Sequence, residues 1–447
     1  MKYASLIREI RSKWGGIVVS KGTKIAIGVI IGLALLLALL IKVVFFNGFS
    51  FLSSFNDTVN SSSNNLITLT DEDTEIEIKD GEDEDYDEYT AKIDISILSV
   101  EGSGAEIKDN TITITKEGIY YIKGKNEDCN IVINSDKSKI VLILDNVTLS
   151  SKTTAPINVI DAKKVVIRLL ENTTSTISDS SNYILFTEDD EPNATIFSKA
   201  DLVISGTGKL VVNANYKDAI ASKDTLKIIN GNIEINAVDD GIRGKDCVEI
   251  LNGSFDINVG GDGIKSSNDE DISLGYVLIK NGTFNINASS DGIQGITKVI
   301  ISDGIFNIKS EEGIEATYVQ IDGGTINIEA SDDGINASDK STICTPTVVI
   351  NEGEITIKMG QGDTDGIDAN GDIYINGGTI NITGNSSFDY DGKAEHNGGT
   401  IIVNGSKIDT ISNQFGGMMQ GMQGGMPNGM PGNMQRGMQK EFKNQNK

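Results

Sequence analysis

The sequence has 447 residues and a formal net charge of −26, from 38 Lys and Arg against 64 Asp and Glu. A chain this acidic is repelled by a phosphate backbone, so composition argues against a nucleic-acid partner. Its three cysteines are odd in number and form no CxxC pair, which argues against a disulfide framework. The length allows one large domain with appendages.

The N-terminal region has the pattern of a membrane anchor. Residues 1–24 are basic, and residues 25–46 are an apolar run interrupted only by Lys42. About 20 apolar residues cross a bilayer as a helix, and flanking cations stay on the cytoplasmic side. We therefore predict a cytoplasmic segment over 1–24 and an uncleaved transmembrane helix over 25–46. A cleaved signal peptide is the alternative, although no small-x-small cleavage site follows the run.

Two further segments lack strand or helix periodicity. Residues 47–90 are rich in Ser and Asn and then strongly acidic from Asp71 to Glu88, which predicts a solvated, self-repelling linker. Residues 413–447 hold seven of the nine methionines among Gly, Gln and Asn, which predicts a disordered low-complexity tail. A copper-binding or partner-binding tail is the alternative for this segment.

A short turn recurs through the second half of the chain. Each of its seven copies places an acidic residue two positions before an isoleucine, and glycine lies between them except in the first copy. The acids of these copies are Asp218, Asp240, Asp262, Asp291, Glu312, Asp333 and Asp365. Most copies are 21 or 22 residues apart, and the intervals of 29 and 32 residues place insertions at 267–275 and 338–346. A fixed period of this size is the signature of a solenoid.

A second motif accompanies the turn. It alternates apolar and polar residues behind Asn-Gly, Asp-Gly or Gly-Gly, as in residues 281–286 (NGTFNI). The alternation is strand periodicity with one buried face, and the glycine supplies the positive φ of a tight corner. Each period is then two or three short strands, or one coil of a parallel β-helix. We predict this fold over 91–412, with irregular coils at 91–215 and regular coils at 216–412.

Stacked coils align these residues into columns. The isoleucines are expected to point inward as a ladder, and the seven acids form a second column with a strand spacing of about 4.8 Å. Carboxylates that close repel each other unless something neutral or positive lies between them. Calcium takes oxygen ligands at about 2.3 to 2.6 Å, so the acid column is the predicted metal site. The alternative is that the acids cap turn amides.

Outward positions supply candidates for sugar contacts. Arg243 and Lys265 follow the turn glycine by two positions in adjacent coils and are placed to meet a sugar carboxylate. Tyr276, Lys298 and Tyr318 share one column on another strand. There, two tyrosines would stack on sugar rings and the lysine would meet a uronate. For each of these residues a solvated or packed face position is the alternative.

Several longer phrases resemble a known family. In chain order they are residues 142–147 (LILDNV), 196–202 (IFSKADL), 206–210 (GTGKL), 240–246 (DGIRGKD) and 261–266 (GDGIKS). Together they resemble the clostridial carbohydrate-binding parallel β-helix proteins, which are similar to the pectate-lyase fold, over roughly residues 90–405.

The resemblance implies a right-handed β-helix at the bacterial surface that binds cellulose-like and polygalacturonate-type polymers. It also implies that calcium ions are held along the helix, and this assignment carries over only to the acids of the Asp-Gly-Ile turns. The resemblance implies no established catalysis. Ala219 and Glu312 depart from the turn pattern, which weakens the assignment beside them.

The sequence therefore predicts a calcium-stabilised carbohydrate-binding protein of the bacterial cell membrane. Most of the chain would be extracellular, a monomer is expected, and no catalytic residue is assigned. One alternative is a calcium-dependent, pectate-type lyase, which needs a metal at the uronate carboxylate and a nearby base. Only Arg243 or Lys265 is placed for that role. The other alternative is a surface adhesin without a sugar ligand.

Overall fold

The computed structural model describes residues 74–184, 191–361 and 364–413. Every regular element in these ranges is a β-strand. Within them, no helix is long and apolar enough to cross a membrane. The predicted anchor at 25–46 and nearly all of the predicted tail at 413–447 lie outside the described residues.

The strands are numbered in chain order. The irregular part contains β1 (Ala91–Asp94), β2 (Ser99–Gly102), β3 (Ala105–Lys108), β4 (Thr111–Ile114), β5 (Gly118–Asn126), β6 (Asn130–Asn134), β7 (Lys139–Ser150), β8 (Ile157–Asp161), β9 (Lys164–Leu169), β10 (Thr174–Ser178), β11 (Ala194–Ser198), β12 (Asp201–Gly206) and β13 (Lys209–Ala214). The regular part contains β14 (Asp218–Ser222), β15 (Thr225–Ile228), β16 (Asn232–Ala237), β17 (Ile242–Gly244), β18 (Cys247–Ile250), β19 (Ser254–Val259), β20 (Ile264–Ser266), β21 (Tyr276–Ile279), β22 (Thr283–Ala288), β23 (Ile293–Gln294), β24 (Lys298–Ile301), β25 (Ile305–Ser310), β26 (Ile314–Ala316), β27 (Tyr318–Ile321), β28 (Thr325–Ala330), β29 (Ile335–Ala337), β30 (Thr347–Ile350), β31 (Glu354–Met359), β32 (Ile367–Ala369), β33 (Asp372–Ile375), β34 (Thr379–Thr383), β35 (Phe388–Tyr390), β36 (Ala394–His396), β37 (Thr400–Val403) and β38 (Ser406–Ile408).

In the regular coils each strand pairs in parallel with the strand three positions further along, as β16 does with β19 and β19 with β22. Three strands therefore make one coil, and stacked coils build three sheets. The turn sheet contains β3, β4, β6, β8, β11, β14, β17, β20, β23, β26, β29, β32 and β35. The second sheet contains β1, β5, β7, β9, β12, β15, β18, β21, β24, β27, β30, β33 and β36. The third contains β10, β13, β16, β19, β22, β25, β28, β31, β34 and β37.

Antiparallel pairs lie at the two ends of this stack. β1 pairs with β2 and β3 with β4 at the first coil, and β37 pairs with β38 at the last. Such hairpins occupy strand edges that further coils would otherwise extend. The predicted all-β architecture of stacked parallel strands is confirmed, while its right-handedness stays a prediction.

The core is built from identical residues stacked coil on coil. The seven turn isoleucines are fully buried and pair in register, as Ile242 does with Ile264, which confirms the predicted ladder. In the third sheet, Phe255, Phe284 and Phe306 stack with ring centroids 4.6 and 4.5 Å apart and planes within 2° of parallel. Equal side chains in register can interdigitate closely, which gives the dense packing of a protein interior.

Glycine serves two purposes at the corners. Gly253 and Gly282, which precede strands of the third sheet, have φ of 143° and 142°, as the Asn-Gly pattern predicts. In the Asp-Gly-Ile turn, glycine is needed because the backbones of adjacent coils approach each other closely. A Cβ added to Gly263 would lie 2.5 Å from the carbonyl oxygen of Gly292 in the next coil. The turns therefore stack backbone on backbone.

Residues 74–90, which we call the acidic strap, depart from the predicted solvated linker. Ile76 is buried in a cluster with Leu278 and Ile300 of the second sheet. Glu82 is buried between Lys164 and Lys227 of the same sheet. Repulsion between the acids of this segment favours a solvated linker, but the sheet presents cations and apolar side chains that bind the segment instead.

Candidate metal and carbohydrate site

The predicted acids stack at the corner where the third sheet passes into the turn sheet. Asp262 donates its backbone N–H to Oδ1 of Asp240 at 2.9 Å, and Asp291 donates to Oδ1 of Asp262 at 2.9 Å. Asp240 donates to Asp218 at 3.3 Å, and Asp365 donates to Asp333 at 2.9 Å. These four aspartates each use one oxygen to cap an amide of the next coil, as the alternative interpretation of the column expects. Their second oxygen is left for other partners.

The N-terminal half of the column is paired with cations. Arg243 Nη1 lies 3.5 Å from Oδ2 of Asp218 and 3.8 Å from Oδ2 of Asp240. Lys265 forms an ion pair with Asp262 and lies 3.9 Å from Asp240. Arg243 and Lys265 are neighbours in register, and their side chains are 34% and 24% exposed. Both cations neutralise the column and still reach the surface.

The C-terminal half of the column is rich in acids whose pKa values are raised by burial and by neighbouring carboxylates. Oxygen atoms of Asp291, Glu312 and Glu315 lie within 4.8 Å of one another. Burial, together with the charges of Asp262 and Glu315, raises the pKa of Asp291 to about 8. Burial and the charges of Glu315 and Asp291 raise the pKa of Glu312 to about 9. The partners here include one cation, Lys340, whose Nζ lies 2.5 Å from Glu315.

A buried amide lies beside this acid cluster. Asn336 donates its Nδ2 to Oε2 of Glu312 at 3.1 Å, while its Oδ1 is buried with no hydrogen-bond partner among the described residues. Three carboxylates and a spare amide oxygen are the hard ligands that calcium prefers. A second acid group, Asp218, Asp239 and Asp240, is also compact, but Arg243 already faces it. The residues around Asn336 therefore fit a metal better.

Glu315 and Asn336 had no assigned role in the sequence-based site. Both stand two positions after the turn glycine, in the outward column that also holds Arg243 and Lys265. Their register was therefore available from the sequence, whereas the unpaired Oδ1 of Asn336 required the packed structure.

The second predicted sugar column is in register but partly enclosed. Tyr276 pairs with Lys298 and Lys298 with Tyr318, and Lys298 Nζ lies 5.8 Å from the ring centroid of Tyr276. Tyr318 is only 2% exposed, because Cys344 of the 338–346 insertion packs on its cluster. Stacking of a sugar ring on Tyr318 is therefore not supported. Tyr276 is half-buried, and its hydroxyl bonds to Glu249 at 3.1 Å.

Comparison with known proteins identifies the family of this chain. Residues 108–362 and 310–410 match the family described as carbohydrate-binding domain-containing proteins. The chain belongs to this family. The expected relationship to carbohydrate-binding proteins of clostridial type is thereby confirmed.

One relative in this family is a carbohydrate-binding domain-containing protein of Acetivibrio thermocellus, 37% identical over 136 residues. The matched region is 30% of this chain and 48% of the relative, so the chain spans about half the length of the curated relative it matches. The chain is also similar to a solved structure, the gadolinium derivative of a polysaccharide lyase-like protein from C. thermocellum. It is 25% identical, with a TM-score of 0.44, and the match covers 71% of this chain and 98% of that chain.

Proposed function

We propose that this protein binds acidic polysaccharide along the outer face of the turn sheet, with calcium bridging at the acidic end. The observation that carries the proposal is a charge gradient in one register column. From the N-terminal end, this column reads Arg243, Lys265, Gln294, Glu315, Asn336, Asp368 and Asp389. One end of the column carries cations and the other carries carboxylates.

The two ends would hold uronates in different ways. At the cationic end, the exposed parts of Arg243 and Lys265 are available to a sugar carboxylate through charge-assisted hydrogen bonds. At the acidic end, Asp291, Glu312, Glu315 and the Oδ1 of Asn336 would hold the calcium ion. Bound calcium takes six to eight oxygen ligands and so supplies positions for sugar oxygens. A single polyuronate chain can then lie along the column.

The cellular setting is part of the same proposal and rests on the sequence pattern of residues 1–46. We place the protein as a monomer at a bacterial cell membrane, with the β-helix outside the cell. There it would meet cellulose-like and pectin-like polymers directly.

Retention on immobilised polygalacturonate tests the binding proposal. Arg243→Gln with Lys265→Gln is expected to weaken retention both with calcium and with EDTA. Asp291→Asn with Glu312→Gln is expected to remove only the part of retention that depends on calcium. Lys309→Gln is the matched control, because Lys309 is an exposed cation on the third sheet. Equal retention of all these proteins would contradict a binding face on the turn sheet.

Lyase chemistry has less support from the site. A general base must be deprotonated before it can accept a proton. Burial alone would lower the pKa of Lys265, but Asp240 and Asp262 raise it above the ordinary lysine value. Arg243 is likewise directed at Asp218 and Asp240. We therefore expect no unsaturated product, measured by absorbance, when the protein is incubated with polygalacturonate and calcium.

A further inference from the structure

A row of cations on the second sheet is occupied by the chain's own acidic strap. The row consists of Lys139 on β7, Lys164 and Arg168 on β9, and Lys227 on β15. Each of these side chains bonds to a residue between 77 and 85. In a chain of net charge −26, this is a concentration of positive charge on one face. The strap meets it with a turn around Gly81 that carries several carboxylates.

Glu82 makes the most enclosed of these contacts. Its carboxylate forms an ion pair with Lys164 and lies 3.4 Å from Lys227. Burial alone would raise the pKa of Glu82, but the hydrogen bond from Lys164 and the charge of Lys227 hold it below the ordinary value. Lys227 also donates to the backbone carbonyl of Glu77 at 2.8 Å.

The remaining contacts are nearer to solvent. Arg168 Nη1 lies 2.5 Å from Asp83, and its Nη2 lies 2.7 Å from Asp85, whose side chain is 93% exposed. Lys139 donates to the backbone carbonyl of Asp80. These pairs are accessible to salt and to a competing anion.

Side chains, not a backbone ladder, hold the strap. Among the described residues, no backbone–backbone hydrogen bond joins residues 75–88 to the strands that they cover. Its apolar anchors are Ile76 and Tyr86, which pack on clusters of the second sheet. The strap can therefore leave the face without breaking any strand pairing of the β-helix.

The strap does not close fully on the sheet. A cavity of about 330 Å³ remains between them, and its lining includes Glu82, Lys164, Lys227 and Tyr276. Lys298, which follows Tyr276 in register, holds its ammonium 5.8 Å from the tyrosine ring. Glu249 lies between the cationic row and this ring, 3.5 Å from Lys227, and accepts a hydrogen bond from the hydroxyl of Tyr276. The cations on one side of it and the ring with its lysine on the other match the chemistry of a uronate chain, which has carboxylates and apolar ring faces.

We propose that the outer face of the second sheet, from Lys139 to Tyr276, is an additional binding site for acidic polysaccharide, and that the acidic strap is its built-in competitor. The ligand class rests on the proposed function. The location of the site on the second sheet and its competition with the acidic strap are independent of that function. A uronate polymer exchanges its carboxylates for those of Asp83, Asp85 and Glu82.

Hydrogen exchange on the full chain tests the competition. Addition of polygalacturonate is expected to accelerate amide exchange within residues 75–88 at Lys79, Gly81 and Glu82, whose N–H groups are hydrogen-bonded in the docked strap, whereas a neutral glucan of equal length leaves it unchanged. Exchange in 75–88 that is unchanged or slowed by polygalacturonate, while other residues become protected, would overturn the proposal and leave the turn-sheet site standing.

A charge variant gives a second, independent readout. Asp83→Asn with Asp85→Asn frees Arg168 and keeps the buried Glu82, so the fold is retained. Loss of two ion pairs near the surface is expected to tighten the apparent Kd for polygalacturonate by about threefold to tenfold. Glu127→Gln with Asp136→Asn, exposed acids elsewhere, is the matched control for net charge.

The outcomes separate the two sites. If the wild type does not bind polygalacturonate at all, the turn-sheet proposal fails, and binding gained by the strap variant alone would support the covered site. If the strap variant gains no more than the control variant does, the covered site is overturned.

Discussion

The backbone N–H of Asp262 donates a 2.9 Å hydrogen bond to Oδ1 of Asp240 in the preceding coil. Asp291 repeats this bond on Asp262. Each carboxylate thus connects two coils through one oxygen and offers the other to Arg243, Lys265 or a ligand. The capping of amides between coils and the binding of cations or ligands therefore use different oxygens of each carboxylate.

Two substitutions at Asp262 should isolate the capping role. Asp262→Ala leaves the buried N–H of Asp291 without its acceptor, which costs about 1–3 kcal/mol of the free energy of unfolding. Asp262→Asn keeps an acceptor oxygen at this position and should cost less. Both variants lose the ion pair with Lys265, so that loss cancels in the comparison. Urea unfolding measures the difference, and equal costs would contradict the capping role.

The metal-free protein should lose stability as pH rises. Burial, with neighbouring carboxylates, raises the pKa of Asp291 to about 8 and that of Glu312 to about 9. Unfolded Asp and Glu titrate near about 4. Between these values the folded state binds more protons, so the contribution of these two carboxyl groups to stability is full below about pH 4 and falls until about pH 9.

Calcium should reverse this loss if it binds the cluster. In EDTA, we expect Tm to be lower at about pH 8.5 than at about pH 5.5, and calcium to raise Tm mainly at the higher pH. Glu312→Gln should flatten the pH dependence in EDTA and reduce the calcium effect. A Tm at the higher pH that does not respond to calcium would count against the proposed metal site.

The acidic strap should contribute to stability through its apolar anchor. Ile76→Asp places a charge in the cluster with Leu278 and Ile300 and forfeits burial worth about 1.5–3 kcal/mol. Ile78→Asp is the matched control, because Ile78 is 46% exposed whereas Ile76 is 9% exposed. Thermal unfolding of the two variants provides the measurement. Similar Tm values would show that the strap adds little to the fold.

The phenylalanine stack should be most sensitive at its centre. Phe284 stacks on both Phe255 and Phe306, whereas Phe306 stacks on Phe284 alone. Phe284→Ala should cost about 3–5 kcal/mol, and more than Phe306→Ala by about 0.5–1.5 kcal/mol for the additional ring contact. Denaturant unfolding of both variants tests the order, and a larger cost for Phe306→Ala would contradict it.

Local, repeated features of this fold were predictable. The spacing from Ile242 to Ile264 is one coil, and the alternation in residues 281–286 is one strand, because both patterns lie within a single period. The insertions at 267–275 and 338–346 form loops, as the longer intervals predict. Spacing alone did not decide whether the acids cap amides, since amide capping and calcium binding require the same residue type at the same interval.

Features that join distant parts of the chain were not predictable. The acidic run around Glu82 suggests self-repulsion because its partners, Lys164 and Lys227, lie far away in sequence. The repeat spacing predicts the register of the column that contains Tyr318, but the 338–346 insertion that covers the ring comes from the following coil. Register follows from periodicity, whereas solvent access depends on what packs above a column.

The position of the acidic strap also orders events during synthesis. The hydrogen bond from Lys227 to Glu77 joins residues 150 positions apart, and Ile76 packs against the still later Ile300. The ribosome therefore releases the strap long before the coils that receive it. Closing a loop of this length is entropically costly and slow. Docking of the strap is then a late folding step: its ionic contacts wait for the coil of Lys227, and the contact of Ile76 with Ile300 forms only after that later coil has stacked.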